Sequence, residues 1–215
     1  PKQFLYQLVS SQLDMDRLDY LKRDSFFSGV TEGNIGTERI INMLDVVDDN
    51  VVVEEKGVYS IEKFLIARRL MYWQVYLHKT VISAENMLIR VLKRAKELMV
   101  DGKQIYAPPS LSVFLKNNYI YDDFISQPQL LDDFSQLDDF EISVCLKYWC
   151  NNNDFVLSNL SERIINRKLL KIRIQNTKFK PDQVTSLLDK MQKKYKITKQ
   201  EAEYFIFADK VSNNT

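Results

Sequence analysis

Histidine is nearly absent: His78 is the only one among 215 residues. Most catalytic zinc and di-iron sites draw on two or more imidazoles, so a complete histidine-rich metal centre cannot be assembled from these residues. Cysteine is almost as scarce. Cys145 and Cys150 fall on one predicted helix, about 140° apart around its axis. That separation excludes a shared metal and a mutual disulfide, and reads as two buried, reduced thiols in a cytoplasmic protein. Glycine and proline number five each, too few for a loop-rich β fold and in keeping with helices. No apolar run reaches the roughly 18–20 residues that a membrane-spanning helix needs. Residues 1–10 carry one lysine and no long apolar stretch, which does not read as a signal peptide. The net charge of +1 points to no particular partner.

Hydrophobic residues make up 45% of the chain, enough to bury a core in one domain or one plus a small appendage. Residues 14–24 read as a short helix capped by Asp14, with Leu13, Leu18 and Leu21 toward a core. The turn-rich stretch 25–36 ends it, and Thr37 caps a helix to residue 44. Residues 51–55 have strand character and Lys56-Gly57 supplies a turn, which predicts a small hairpin there. From Ser60, a good N-cap, to Met99 there is neither glycine nor proline. The spacing predicts one long helix, or two with a kink. Its part 64–81 is apolar or aromatic nearly all round and is expected to be buried on most sides. Ala84, Met87, Leu88, Val91, Leu92, Ala95 and Leu98 then form a one-sided stripe.

Further helices are expected at 110–116, 137–151 and 158–169. Two more run from Pro181, as first helical residue, to 195, and from a Thr198 cap to about 205. Residues 170–174 alternate apolar and charged like a half-exposed strand; with 204–208 they suggest a small α+β appendage. The predicted fold is therefore mainly α, divided into residues 1–105 and residues 106–215.

Two clusters carry chemistry. Asp16, Tyr20 and Asp24 recur every fourth residue and share a helix face, with Arg17 beside them. A carboxylate can ligate a divalent cation, and a phenol and a guanidinium can hold a phosphate; a solvated face is the other reading. Arg68, Tyr72 and Tyr76 recur with the same spacing in the part expected to be buried, next to His78 and Lys79. A buried arginine needs an anion. Asp16, Asp24 or a ligand phosphate could each serve. A lone histidine such as His78 is more often a core or interface residue.

The block Asp14-Met-Asp16-Arg17-Leu-Asp19-Tyr20, continued to Asp24 and Gly29, resembles the segment that follows the HD core in HD-domain metal-dependent phosphohydrolases. The branch is the one that includes the deoxynucleoside triphosphate hydrolases. The block Phe64-Leu-Ile-Ala-Arg68 to Tyr76-Leu-His78-Lys79 resembles the long helix of the same family. The resemblance is sharp over residues 8–98. It implies an HD-type helical bundle portion with a long central helix, and a divalent metal ion (Mn, Mg, Fe or Zn). In that family the ion is held by a His, a His-Asp pair and a later Asp, and Asp16 matches the last of these.

By the same match, Arg17 and Tyr20 approach substrate phosphates and Asp24 the sugar hydroxyl. Arg68 holds a phosphate, and Tyr76 lines the sugar pocket. Tyr72 and Leu77 depart from the family's histidine and glutamine, so selectivity for deoxyribose or a triphosphate is not implied. His78 and Lys79 match positions that touch a regulatory nucleotide between subunits in regulated members.

The family's His and His-Asp ligands are not among these residues. The resemblance thus implies the C-terminal part of a homo-oligomeric, cytoplasmic enzyme acting on nucleotides (dNTPs among them) or other phosphate esters. These residues alone are expected to be inactive. Charge offers rival readings. Residues 121–142 hold seven acidic side chains and no basic one, whereas 161–200 hold twelve basic against three acidic. The basic segment suits nucleic acid or polyphosphate, or a solvated face that complements the acidic one. A structural oligomerisation piece built on the 60–99 helix is the third reading.

Overall fold

The computed structural model describes residues 2–209 and is mainly α-helical, as the scarcity of glycine and proline predicts. The described residues divide into two compact units, 2–81 and 82–209.

The first unit opens with α1 (Gln3–Val9) and α2 (Met15–Ser28). Asp14 starts α2 as expected: its carboxylate accepts the Arg17 backbone N–H at 2.8 Å, satisfying one of the helix's free donors. The helix overruns its predicted end by a turn. It stops at Gly29, whose left-handed φ of 71° lets its N–H reach the Ser25 carbonyl. Leu18 and Leu21 then pack against Ile35 and Ile40, the latter on α3 (Thr37–Ile41), and against Phe64, Ala67 and Met71 of α4 (Val58–Met71). Thr37 does not cap α3; Gly36 holds the cap position. Gly33 sits where the chain crosses α2, and a Cβ there would stand 2.8 Å from the Leu21 carbonyl oxygen and from the Ser25 Cβ.

The hairpin forms one turn earlier than predicted. β1 (Leu44–Val47) and β2 (Asn50–Val53) pair antiparallel, with Leu44 opposite Val53. The turn is Asp48-Asp49, both left-handed at φ 48° and 62°. Short polar side chains tolerate that conformation, and two aspartates here do the work expected of a glycine. Residues Glu55–Gly57 form a tight 3-10 turn leading into α4. The side chain of Gln7 on α1 accepts the Val51 N–H at 2.7 Å, which ties α1 to the hairpin.

The predicted 60–99 helix is broken. α4 starts at Val58, so Ser60 is not its cap. A π turn, Tyr72–Tyr76, follows, with the Leu77 N–H donating to the Tyr72 carbonyl at 2.7 Å. α5 (Lys79–Val100) begins beyond it. An inserted wide turn thus supplies the kink. Burial of α4 and the π turn is one-sided: Leu65 and Ile66 on α4 and Trp73 in the turn are exposed, against the expectation of burial on most sides.

In the second unit α5 is followed by α6 (Pro109–Lys116), α7 (Tyr121–Ser126), α8 (Gln129–Ser135) and α9 (Asp139–Trp149). Then come α10 (Phe155–Ile165), α11 (Pro181–Tyr195) and α12 (Lys199–Ala202). The α5 stripe holds: Met87, Val91, Ala95 and Leu98 are buried against Leu111, Leu146, Trp149 and Leu160. Arg94 on α5 reaches Asp154 at 2.6 and 3.1 Å. The same carboxylate caps α10 by accepting the Leu157 N–H at 2.9 Å, so α10 starts three residues before its predicted onset. Pro181 opens α11, and Thr198 with Glu201 forms a reciprocal cap on α12.

Residues 170–174 and 204–208 pair with no strand, and β1 and β2 make the one sheet among the described residues. The α+β appendage is therefore helical, with extended connections. Cys145 is buried, Cys150 half-buried, and both are free thiols. No described helix is long and apolar enough to cross a membrane.

Candidate functional site

Within the first unit, α2 and the segment from α4 through the π turn bring Tyr20, Asp24, Arg68, Tyr72 and Tyr76 together. The four-residue spacing on α2 sets Tyr20 and Asp24 on one face. The same spacing, carried into the wider π turn, lines up Arg68, Tyr72 and Tyr76. The Tyr76 ring meets Tyr20 edge-on at 5.8 Å between centroids and Tyr72 edge-on at 5.2 Å. The Tyr76 hydroxyl donates to Asp24 Oδ2 at 2.7 Å. Edge-to-face rings of this kind add a modest attraction beyond burial.

Arg68 is 8% exposed. One of its terminal nitrogens donates to the side-chain oxygen of Gln12 at 2.5 Å, and its guanidinium lies 5.8 Å from the Tyr72 ring centre. Among the described residues no carboxylate pairs with it. Neither acid that the sequence offered as a partner, Asp16 or Asp24, pairs with it, nor does Asp14. Asp24 is taken by Tyr76. Asp14 holds the Arg17 guanidinium, which also donates to the Ser11 carbonyl. Asp16 is exposed on the first turn of α2 and makes no side-chain hydrogen bond or ion pair among the described residues. Nothing joins Asp16 to Arg68 directly.

The Tyr20 and Tyr76 phenols are held protonated. Burial pushes the Tyr76 hydroxyl well above its ordinary range, and its bond to Asp24 pushes the same way. Burial likewise raises Tyr20, helped by the neighbouring Tyr72 and opposed by Arg68 and Arg17. Neutral phenol donors beside a buried guanidinium with a neutral partner are an arrangement suited to an anion. His78 and Lys79 are exposed just past the π turn. The Thr80 N–H reaches His78 Nδ1 at 3.3 Å, so the imidazole caps the start of α5.

Among the described residues no three His, Cys, Asp or Glu side chains cluster as metal ligands would. Asp16 offers one exposed carboxylate, and a divalent cation needs several ligands. The residues present do not by themselves fit an ion. What they present is a buried guanidinium on a neutral amide, beside phenols that burial keeps neutral. The residue that sequence reasoning missed is Gln12. It lies far along the chain from Arg68, and no spacing rule links the two.

The family model for the HD associated region matches residues 35–116. An uncharacterized protein of Bacillus subtilis, YwfO, is 32% identical over 206 residues, covering 96% of this chain and 45% of its own length. A deoxynucleoside triphosphate triphosphohydrolase SAMHD1 homolog of Dictyostelium discoideum is 27% identical over 108 residues, covering 49% of this chain and 21% of its own. The crystal structure of a phosphohydrolase from Bacteroides thetaiotaomicron superposes with a TM-score of 0.90 at 54% identity. It is matched over 95% of this chain and 51% of that one. The chain thus spans about half the length of YwfO and of the solved phosphohydrolase.

Proposed function

Because the family match and these named relatives support the HD-domain superfamily, we propose that this chain is the substrate-binding part of a metal-dependent phosphohydrolase acting on nucleotides or other phosphate esters. One observation carries the proposal. Among the described residues Arg68 is buried with a neutral amide and no carboxylate for a partner, and a buried cation without a counter-charge is unfavourable until an anion arrives. A phosphate group fits that need. Arg68 neutralises its oxygens and Tyr20 donates to them as a neutral phenol; Arg17, whose guanidinium Asp14 holds, is a second cation within electrostatic reach of Tyr20. Asp24, which accepts from Tyr76, also accepts from a sugar hydroxyl, with the Tyr76 ring as a wall of the sugar pocket. Asp16 is one ligand of a divalent ion whose other ligands come from outside these residues. This chain alone is therefore expected to be inactive.

The test uses the full-length protein with Mn²⁺ or Mg²⁺ and a panel of nucleotides. Phosphate release is expected, and Asp16→Ala is expected to abolish it with the circular dichroism spectrum unchanged. Arg68→Ala is expected to lower kcat/KM by about tenfold to a hundredfold, the usual loss for a charge-assisted hydrogen bond. No release from any nucleotide or phosphate ester, or full activity in Asp16→Ala, would end the proposal.

A further inference from the structure

Two segments of the second unit carry opposite charge, and neither pairs with the other among the described residues. Residues 121–142 hold seven acidic side chains and no basic one; residues 161–200 hold twelve basic against three acidic.

The acidic surface is also apolar. Around exposed Asp122, Asp132 and Asp139, the helices α7, α8 and the start of α9 leave Tyr121 78%, Ile125 65%, Leu131 59% and Phe140 80% exposed. Solvation accounts for the aspartates but not for large apolar side chains held out among them. Inward, α7 and α8 have a reason to stay folded. Phe114 stacks on Phe124 and Phe134 meets both edge-on, at centroid distances of 6.0 to 6.2 Å; Leu130 is buried, while Phe134 is still 56% exposed. Their outer face is the part without a partner.

The basic surface has a matching build. Helix α11 buries only Leu188 among its residues. Leu187, 50% exposed, shares a helix face with Lys190 and Lys194, three and seven positions on. Lys193 flanks that face, and all three lysines are exposed.

We propose that the acidic, apolar surface of α7, α8 and the start of α9 in one copy docks on the basic surface of α11 in a second copy of this chain. A nucleic acid on α11 would leave the acidic surface and its apolar side chains bare. Self-association covers both with one contact, and the charges oppose each other face to face. The contact joins two different surfaces, so it closes as a reciprocal pair or ring or extends as a chain.

A charge exchange between the two surfaces tests this in the full-length protein. The first variant carries Asp122→Lys, Asp132→Lys and Asp139→Lys, which spares the capping carboxylates of Asp123 and Asp138. The second carries Lys190→Glu, Lys193→Glu and Lys194→Glu. Analytical ultracentrifugation is expected to show each variant associating at least about tenfold more weakly than the parent. Mixed, the two are expected to recover parental association, because every reversed surface then faces its complement. Circular dichroism of each variant checks that the fold is kept; recovery on mixing requires it. A parent that stays monomeric, variants that associate like the parent, or a mixture that fails to associate overturns the proposal. So does a second variant that loses binding to a single-stranded DNA probe while its oligomeric state is unchanged, which would assign α11 to nucleic acid instead.

Discussion

Arg68 shows what a single residue can and cannot disclose. Its four-residue spacing to Tyr72 and Tyr76 was legible in the sequence, and so was its burial. Its partner was not: Gln12 lies on the stretch before α2, and only the tertiary fold brings the amide to the guanidinium. The distinction has a consequence. Removing one member of a buried ion pair usually destabilises, because the other charge is stranded. Here no carboxylate is left behind, and Gln12 is exposed enough to turn to water. Arg68→Met is therefore expected to leave the thermal midpoint unchanged or raise it, while the affinity of the full-length protein for a nucleotide falls about tenfold or more. A clear drop in melting temperature would mean that Arg68 is structural. The thiols give a second residue-scale prediction. Burial, aided by Glu141, pushes the Cys145 thiol up to about 11. At about pH 8 it remains a thiol, not the reactive thiolate. An aromatic disulfide reagent is expected to modify Cys145 only after denaturation.

Elements were legible where one local signal was decisive. Asp14 before α2, Pro181 at the start of α11 and the Thr198–Glu201 cap on α12 were readable because caps act within a few residues. The failures came where two local signals competed or none existed. Lys56-Gly57 looked like the hairpin turn, but Asp48-Asp49 took the left-handed positions, and the strand paired backward. Helices α7 and α8 carry no clean apolar stripe, since their stability comes from three phenylalanines meeting in space. Residues 170–174 alternate like a strand but have no neighbouring strand to pair with. The π turn has no sequence signature; it realigns Tyr72 and Tyr76 after α4, and only coordinates reveal it. Close packing of elements makes Gly33 sensitive. A methyl group there would meet the Leu21 carbonyl and the Ser25 Cβ at 2.8 Å, both on α2 and unable to swing away. Gly33→Ala is expected to destabilise the first unit by about 1–3 kcal/mol, as overpacking does, measured by urea denaturation.

At the scale of the whole chain, the two cores differ in what polar groups do in them. In the first unit the buried Arg68 guanidinium has no carboxylate partner among the described residues; in the second, Arg94 and Asp154 complete each other. That contrast is why the candidate site is sought in the first unit, and it was only half legible: the sequence singled out both blocks that the fold brings together but not which carboxylates were already engaged. The completed pair has a pH signature of definite sign. Burial opposes the Asp154 charge, but the hydrogen bond from Arg94 and the Leu157 N–H outweigh it and hold the carboxyl below its ordinary range. A carboxyl depressed in the folded state contributes stability that is fully present above its unfolded pKa of about 3.9 and is lost as pH falls through the folded value. Asp154→Asn keeps a competent helix cap and removes the charge. At neutral pH the variant is expected to be less stable by about 1.5–3 kcal/mol, the range for a hydrogen bond to a charged group. The difference is expected to shrink as the pH is lowered below the ordinary carboxylate range, where Asp154 itself becomes neutral. Trp149 is 1% exposed in the second core, whereas Trp73 is 60% exposed in the first unit, so indole fluorescence during urea unfolding follows the second unit. A difference that stays constant from neutral pH to about pH 2 would show that the Arg94–Asp154 charge pair contributes nothing, and that the second unit is held by its apolar contacts alone.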